Sequence, residues 1–358
     1  MTPPTAVRRT AEPRPRTERA TTWLRARLGR AVVLAYIAAL FAPGPGLWLR
    51  EPHPLPAAHL ALNTGPFLLC LLLFSAGLQV RLRALGRLVR RPRVLVAGLA
   101  LHLAIPLAVV PFVAHLLRYT PDSDGGSGLL TAMILTVAMP VAAGATVWTD
   151  TGDGDQPAMV GLVLISTLAS PLTTPFLLGT LAPLLSGGYG HALAASGRVA
   201  QDGFALTSVV LPCAAGLVGS LVLPAQWHGR LLGTIVPAAL AGSPALTYVN
   251  ASGALSSVLA RPRPLLIAAA LGVAALICGL SFALGRIAAR ALRLEAGTAS
   301  SLTLACGMNN SSASAVLITT SLPGKPHLLL PVLAYGLLQK TAASLVVARS
   351  QPVRPPQS

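Results

Sequence analysis

Ser301-Leu302-Thr303-Leu304-Ala305-Cys306-Gly307-Met308-Asn309-Asn310-Ser311-Ser312-Ala313-Ser314 interrupts a long apolar run in this 358-residue chain. From Asn309 to Ser314, five of six side chains carry an amide or a hydroxyl. In lipid such a cluster is costly unless it faces protein or water. A second apolar run, Leu135-Thr136-Val137-Ala138-Met139-Pro140-Val141-Ala142-Ala143-Gly144-Ala145-Thr146-Val147-Trp148, is interrupted differently. Pro140 removes a backbone donor and frees a carbonyl. Ala142, Ala143, Gly144 and Ala145 let another backbone come close. Membrane carriers hold polar solutes at breaks of this kind. The plainer reading is that Ser, Asn and Gly glue packed helices together.

Composition sets the solvent. Hydrophobic residues make up 53% of the chain and charged residues 10%, against about 25% charged in an ordinary soluble domain. The 33 Gly and 31 Pro lie largely within apolar runs and read as close helix packing and helix breaks. Net charge is +17, from 27 basic and 10 acidic residues. The basic residues flank apolar runs or crowd the N-terminal tail, so anionic lipid headgroups, not nucleic acid, are their expected partner. Cys70, Cys213, Cys278 and Cys306 stand in apolar context without C-x-x-C spacing and read as small buried hydrophobes.

The apolar runs predict ten spans: 31–48, 58–79, 94–117, 128–149, 157–185, 204–225, 231–257, 264–289, 297–322 and 326–348. Pro43 and Pro45 shorten the first. Residues 186–203 are too polar to span and read as a connecting loop with a short interfacial helix. Arg81, Arg83, Arg87, Arg90, Arg91 and Arg93 follow the second span and place that loop in the cytoplasm. Arg286, Arg290 and Arg293 after the eighth span agree, while Arg261 and Arg263 fall on the opposite side. Both termini are then cytoplasmic, in a multi-pass protein of the cell membrane.

Ten spans divide into five and five, and an odd number forces the second half to insert upside down. The expected fold is an all-α membrane protein of ten transmembrane helices in two inverted five-helix repeats. Discontinuous helices 4 and 9, of equal rank in the two halves, would cross. The corresponding segments are a disordered basic tail over 1–29, a first repeat over 30–185, a connection over 186–203, a second repeat over 204–348 and a tail over 349–358.

Chemistry is legible also in what is missing. All ten acidic residues lie in tails, loops or span ends, so no span interior offers a carboxylate to a cation. Asp150-Thr151-Gly152-Asp153-Gly154-Asp155 lacks the remaining ligands of a calcium loop and reads as a tight turn. No P-loop, dinucleotide fingerprint or nucleophile elbow is present, and no acid, base and nucleophile converge, so neither an enzyme nor a cofactor is expected. His102 and His115 read as core or interface histidines. Lys340, beside Gln339, is the one basic residue well inside a span. It reads either as a snorkelling lysine or as a fixed cation lining a cavity.

In these residues the chain resembles the bile acid:sodium symporter family. Leu73-Phe74-Ser75-Ala76-Gly77-Leu78 is similar to that family's second-helix signature. Residues 139–171, with Gly154-Asp155 and Ser166-Thr167-Leu168-Ala169-Ser170-Pro171, resemble its fourth helix and the start of its fifth. Residues 303–316 and 338–345 resemble its ninth and tenth helices. Singly these motifs are weak, but in order across residues 30–348 they are specific. The resemblance implies ten helices, with a panel of helices 1, 2, 6 and 7 beside a core of 3–5 and 8–10. It also implies alternating-access transport of organic anions with two sodium ions.

Carried across by position, the sodium chemistry of that family is largely absent. Its ninth-helix Glu corresponds to Ala305 and its Gln to Asn309, while its Gly and Asn are kept as Gly307 and Asn310. Its fourth-helix Ser-Asn pair corresponds to Ala145-Thr146, and its fifth-helix Ser and Thr to Met159 and Val163. Its tenth-helix His-Asn becomes Gln339-Lys340. Sodium is therefore a disfavoured partner, and no metal ligand is assigned. The expected function is secondary transport of a small or amphipathic organic anion: bile-acid-like, steroid-sulfate-like, or a keto or hydroxy acid. The alternative is a membrane receptor or binding protein on the same scaffold. Thr146, Asn309, Asn310, Ser311 and Lys340 are the expected substrate-binding residues, and Pro140, Gly144 and Gly307 the helix-break residues.

Overall fold

The computed structural model describes residues 16–51, 53–55, 60–80, 92–118, 126–260 and 264–350. The arginine-rich loop 81–91, Arg261 and Arg263, and the segments 1–15 and 351–358 lie outside the described residues. In chain order the helices are α1 Arg16–Phe41, α2 Pro43–Arg50, α3 Thr64–Leu78, α4 Pro92–Leu117, α5 Ser127–Val137, α6 Ala145–Thr151 and α7 Gln156–Leu181. There follow α8 Gly188–Val199, α9 Leu211–Val222, α10 Ala225–Ala260, α11 Pro264–Ala291, α12 Ala296–Gly307, α13 Ser311–Ser321 and α14 Leu329–Ser350. A two-stranded antiparallel hairpin, β1 His53–Leu55 and β2 Leu60–Leu62, lies between α2 and α3.

Among the described residues, six helical stretches are long and apolar enough to cross a membrane, and a bent pair makes a seventh. Their outer faces are greasy: Phe41, Leu172 and Leu265 are 80%, 79% and 78% exposed. Large exposed side chains of this kind suit a lipid solvent and would be unusual in water in such numbers.

The first expected span is bent by 96° between α1 and α2. Pro43 and Pro45 withhold two backbone donors there. At the bend the Ala42 carbonyl accepts from the Tyr248 hydroxyl at 2.6 Å, and that hydroxyl accepts from Gly46 N–H, the helical partner of Ala42, at 3.2 Å. Residues 16–29, assigned to a disordered tail by sequence, are instead helical as the start of α1. The second expected span is helical only from Thr64, because Leu60–Leu62 before it form β2. Residues 188–199 form α8, which runs through a π-helical stretch, Ala200–Val210, into α9. Gly203, at φ +148°, takes the kink inside that stretch; an L side chain rarely tolerates this conformation.

Packing sorts the helices into two groups. One comprises α1, α2, α3, α9 and α10, with α1 on α10 and α3 on α9 and α10. The other comprises α4 to α7 and α11 to α14, with α11 on α12 and α14 and α4 on α7. The α3–α9 contact depends on two glycines. A Cβ on Gly77 would strike the Cys213 carbonyl, and a Cβ on Gly216 would strike the Phe74 carbonyl. Small residues facing each other bring two backbones together, which is how helices associate where no hydrophobic gain separates protein from lipid.

Candidate functional site

Both polar interruptions are real breaks, and they meet. α5 ends at Val137 and α6 starts at Ala145; α12 ends at Gly307 and α13 starts at Ser311. Between them Val141 and Asn309 form an antiparallel bridge. Ala142 N–H donates to the Met308 carbonyl at 2.8 Å, and Asn310 N–H donates to the Pro140 carbonyl at 2.9 Å. Each break supplies the partners that the other has lost, which a buried backbone requires.

Side chains complete the crossover. Val141 N–H donates to Ser166 Oγ at 3.1 Å. Thr174 Oγ1 donates to the Ala138 carbonyl at 2.9 Å, and Ser314 Oγ to the Leu135 carbonyl at 3.1 Å. The Tyr335 hydroxyl donates to the Gly307 carbonyl and accepts from Asn309 Nδ2, both at 3.0 Å. Asn310 Oδ1 accepts from Ala313 N–H at 3.1 Å and so caps α13. At the turn between α6 and α7, Asp155 caps α7 through Ala158 N–H at 3.1 Å and accepts from Thr298 Oγ1 of α12 at 3.0 Å.

The sequence-derived site residues divide by role. Pro140 is buried at the first break, and Gly307 lies so close to the Phe282 ring that any Cβ would collide with it. Gly144 is exposed, with open space where a Cβ would go, and it enters α6 with helical φ/ψ of −61° and −18°, so neither packing nor backbone conformation requires glycine there. Asn309 and Asn310 are buried and spend hydrogen bonds on the scaffold. Thr146 is half-buried; its hydroxyl donates to the Ala143 carbonyl at 2.8 Å, and its carbonyl accepts from Gln156 Nε2 at 2.8 Å. Ser311 is half-buried and accepts from Gln339 Nε2 at 3.4 Å. Lys340 is half-buried on α14, and it is its neighbour Gln339 that reaches Ser311.

Four residues of this region escaped the sequence reading as site members: Ser166, Gln156, Tyr335 and Gln339. Ser166 stood inside a quoted motif, and Gln339 stood beside Lys340. Nothing local marked Tyr335, because its partners lie 26 and 28 positions away along the chain. Gln339 is 3% exposed, and its Oε1 is buried without a hydrogen-bond partner. Ala145, Met159, Val163 and Ala305 are all buried, and none offers a side-chain oxygen to a hard cation.

Paired breaks, lined by hydroxyls and amides within an apolar helical body, define the protein as a multi-pass membrane protein of the transporter type. The family model described as the Sodium Bile acid symporter family matches residues 66–261, and the chain belongs to that family. The matched stretch runs from α3 into α10 and contains the first break. No curated protein matches the chain.

Proposed function

We propose that the protein is a secondary carrier of a small or amphipathic organic anion, working by alternating access without two-sodium coupling. The observation that carries this reading is the mutual pairing of the two breaks through Val141 and Asn309. It gives two chain segments, far apart in sequence, one shared polar centre with broken helix ends. The helix N-terminus at Ser311 favours an anion electrostatically. The Ser311 hydroxyl and Asn310 Nδ2 would donate hydrogen bonds, the Thr146 hydroxyl would join them by leaving the Ala143 carbonyl, and Lys340 would supply charge compensation from α14. Residues 30–185 and 204–348 would be the two inverted five-helix repeats, with both termini cytoplasmic. The two packing groups support a body that rocks against a panel. Purified protein in liposomes should accumulate at least one of taurocholate, estrone sulfate or pyruvate in the absence of sodium. Binding of these compounds without flux would move the reading to a receptor on the same scaffold. The buried apolar side chains at Ala145, Met159, Val163 and Ala305, where the family's ion ligands are expected, favour that second reading.

A further inference from the structure

Beside the crossover lies a small cavity. Its room, about 10 Å³, is at the lower limit for one ordered water. Leu101, His102 and Pro106 of α4, Ser281 of α11, Cys306 of α12 and Asn309 line it. His102 is 6% exposed, and its Nε2 is buried without a hydrogen-bond partner. Buried polar atoms nearly always have a partner. Here His102 lines a space of the size that partner needs.

The neighbours present acceptors. Ser281 Oγ donates its hydrogen to the Ile277 carbonyl at 2.8 Å, leaving its lone pairs. Asn309 Nδ2 is committed to Tyr335, leaving Oδ1. A cavity lined by a histidine with an unpartnered ring nitrogen, and by residues that keep acceptor oxygens, suits a water, or a proton carried on the ring. α4 packs on α5, α7, α11 and α12. From these helices the titratable groups are the Cys278 and Cys306 thiols and, toward the cytoplasm-assigned end of α11, Arg286 and Arg290. Arg286 stands five residues beyond Ser281, roughly 7.5 Å of helix rise. α5 and α7 contribute none, α14 brings the Tyr335 hydroxyl, Lys340 and, at its far end, Arg349, and α4 itself carries Arg93 and His115. The carboxylates of these helices stand only at N-caps, Asp155 before α7 and Glu295 before α12. Histidine is thus the side chain here whose ordinary titration falls between pH 5 and 8.

We propose that His102 is the proton-binding residue of the carrier, so that anion transport is coupled to a proton. This rests on the carrier reading. A proton from water adds to the Nε2 lone pair, and the new N–H donates to a cavity water or to Asn309 Oδ1. When the site opens to the other side, the same proton returns to water and the neutral ring is regenerated. One proton accompanying a monoanion makes the cycle electroneutral. A pH difference of one unit then limits accumulation to about tenfold.

Two measurements test this. In sodium-free potassium buffer, proteoliposomes take up labelled taurocholate, estrone sulfate or pyruvate with and without an inward proton gradient. The gradient should stimulate the wild type several-fold and leave His102→Gln flat. An equal response in both proteins overturns the proposal. Independently, nitrogen NMR of histidine-labelled protein in nanodiscs follows the resonance that disappears in His102→Gln, or in His102→Asn should the first variant not fold. That ring should become imidazolium as the pH is lowered from 8 to 3.5. A ring neutral across the whole range overturns the proposal. Failure of every probe to be taken up sinks the carrier reading, while the NMR result still decides whether His102 binds a proton.

Discussion

Tyr335 and Asn309 are joined by a 3.0 Å hydrogen bond that ties α14 to the second break, and the same hydroxyl donates to the Gly307 carbonyl. The crossover is therefore held from outside as well as by its own bridge. Tyr335→Phe keeps the ring and deletes only the oxygen. It leaves a buried carbonyl and a buried amide without that partner, at a cost of about 1–3 kcal/mol. A lower thermal midpoint in detergent, with expression retained, is the expected result.

Gln339 is a different kind of residue. Its Oε1 is buried and unpartnered, and its Nε2 reaches Ser311 at 3.4 Å. Such a group is a poor stabiliser and suits a functional site. Gln339→Met should leave the melting temperature unchanged or raised while uptake falls at least several-fold. Parallel loss of melting temperature and uptake would show a structural role instead.

Lys340→Met tests charge compensation. Uptake of the anion should weaken more than the amount of folded protein in the membrane, measured by size-exclusion of a fluorescent fusion. Equal losses in both would make Lys340 a snorkelling residue.

Sodium dependence separates this chain from the ion chemistry its family resemblance implies. Replacing external sodium with potassium or choline should change uptake by less than about twofold, since Met159, Val163 and Ala305 cannot bind a hard cation. A steep sodium curve with a Hill slope near two would refute the reading.

At the α3–α9 contact, Gly77→Ala and Gly216→Ala each force a methyl onto a backbone carbonyl. Overpacking of this kind costs about 1–3 kcal/mol. Both variants should melt earlier, and the double variant should not recover, since each methyl meets backbone that cannot rotate away.

The breaks were legible because Pro140 and the Asn309–Ser314 cluster are local violations of an apolar run, and lipid makes each violation expensive. The role of the asparagines was less legible. Asn309 and Asn310 look like ligand-binding groups in sequence, yet they spend hydrogen bonds on Tyr335 and on the cap of α13. His102 read as an ordinary core histidine, because a chain of letters cannot show whether a ring nitrogen has a partner.

By itself the sequence determined the solvent and the positions of weakness: long apolar runs require lipid, and a proline or a polar cluster inside one requires shelter. Those are properties of single segments, fixed by transfer free energy and backbone geometry. Only the tertiary structure decided that Val141 and Asn309 pair, that Gly77 and Gly216 let α3 and α9 touch, and that Gln339 rather than Lys340 reaches Ser311. Each of these is a contact between distant segments. Its existence depends on which faces the packed helices turn toward one another, a choice that side-chain shape and hydrogen-bond satisfaction make collectively.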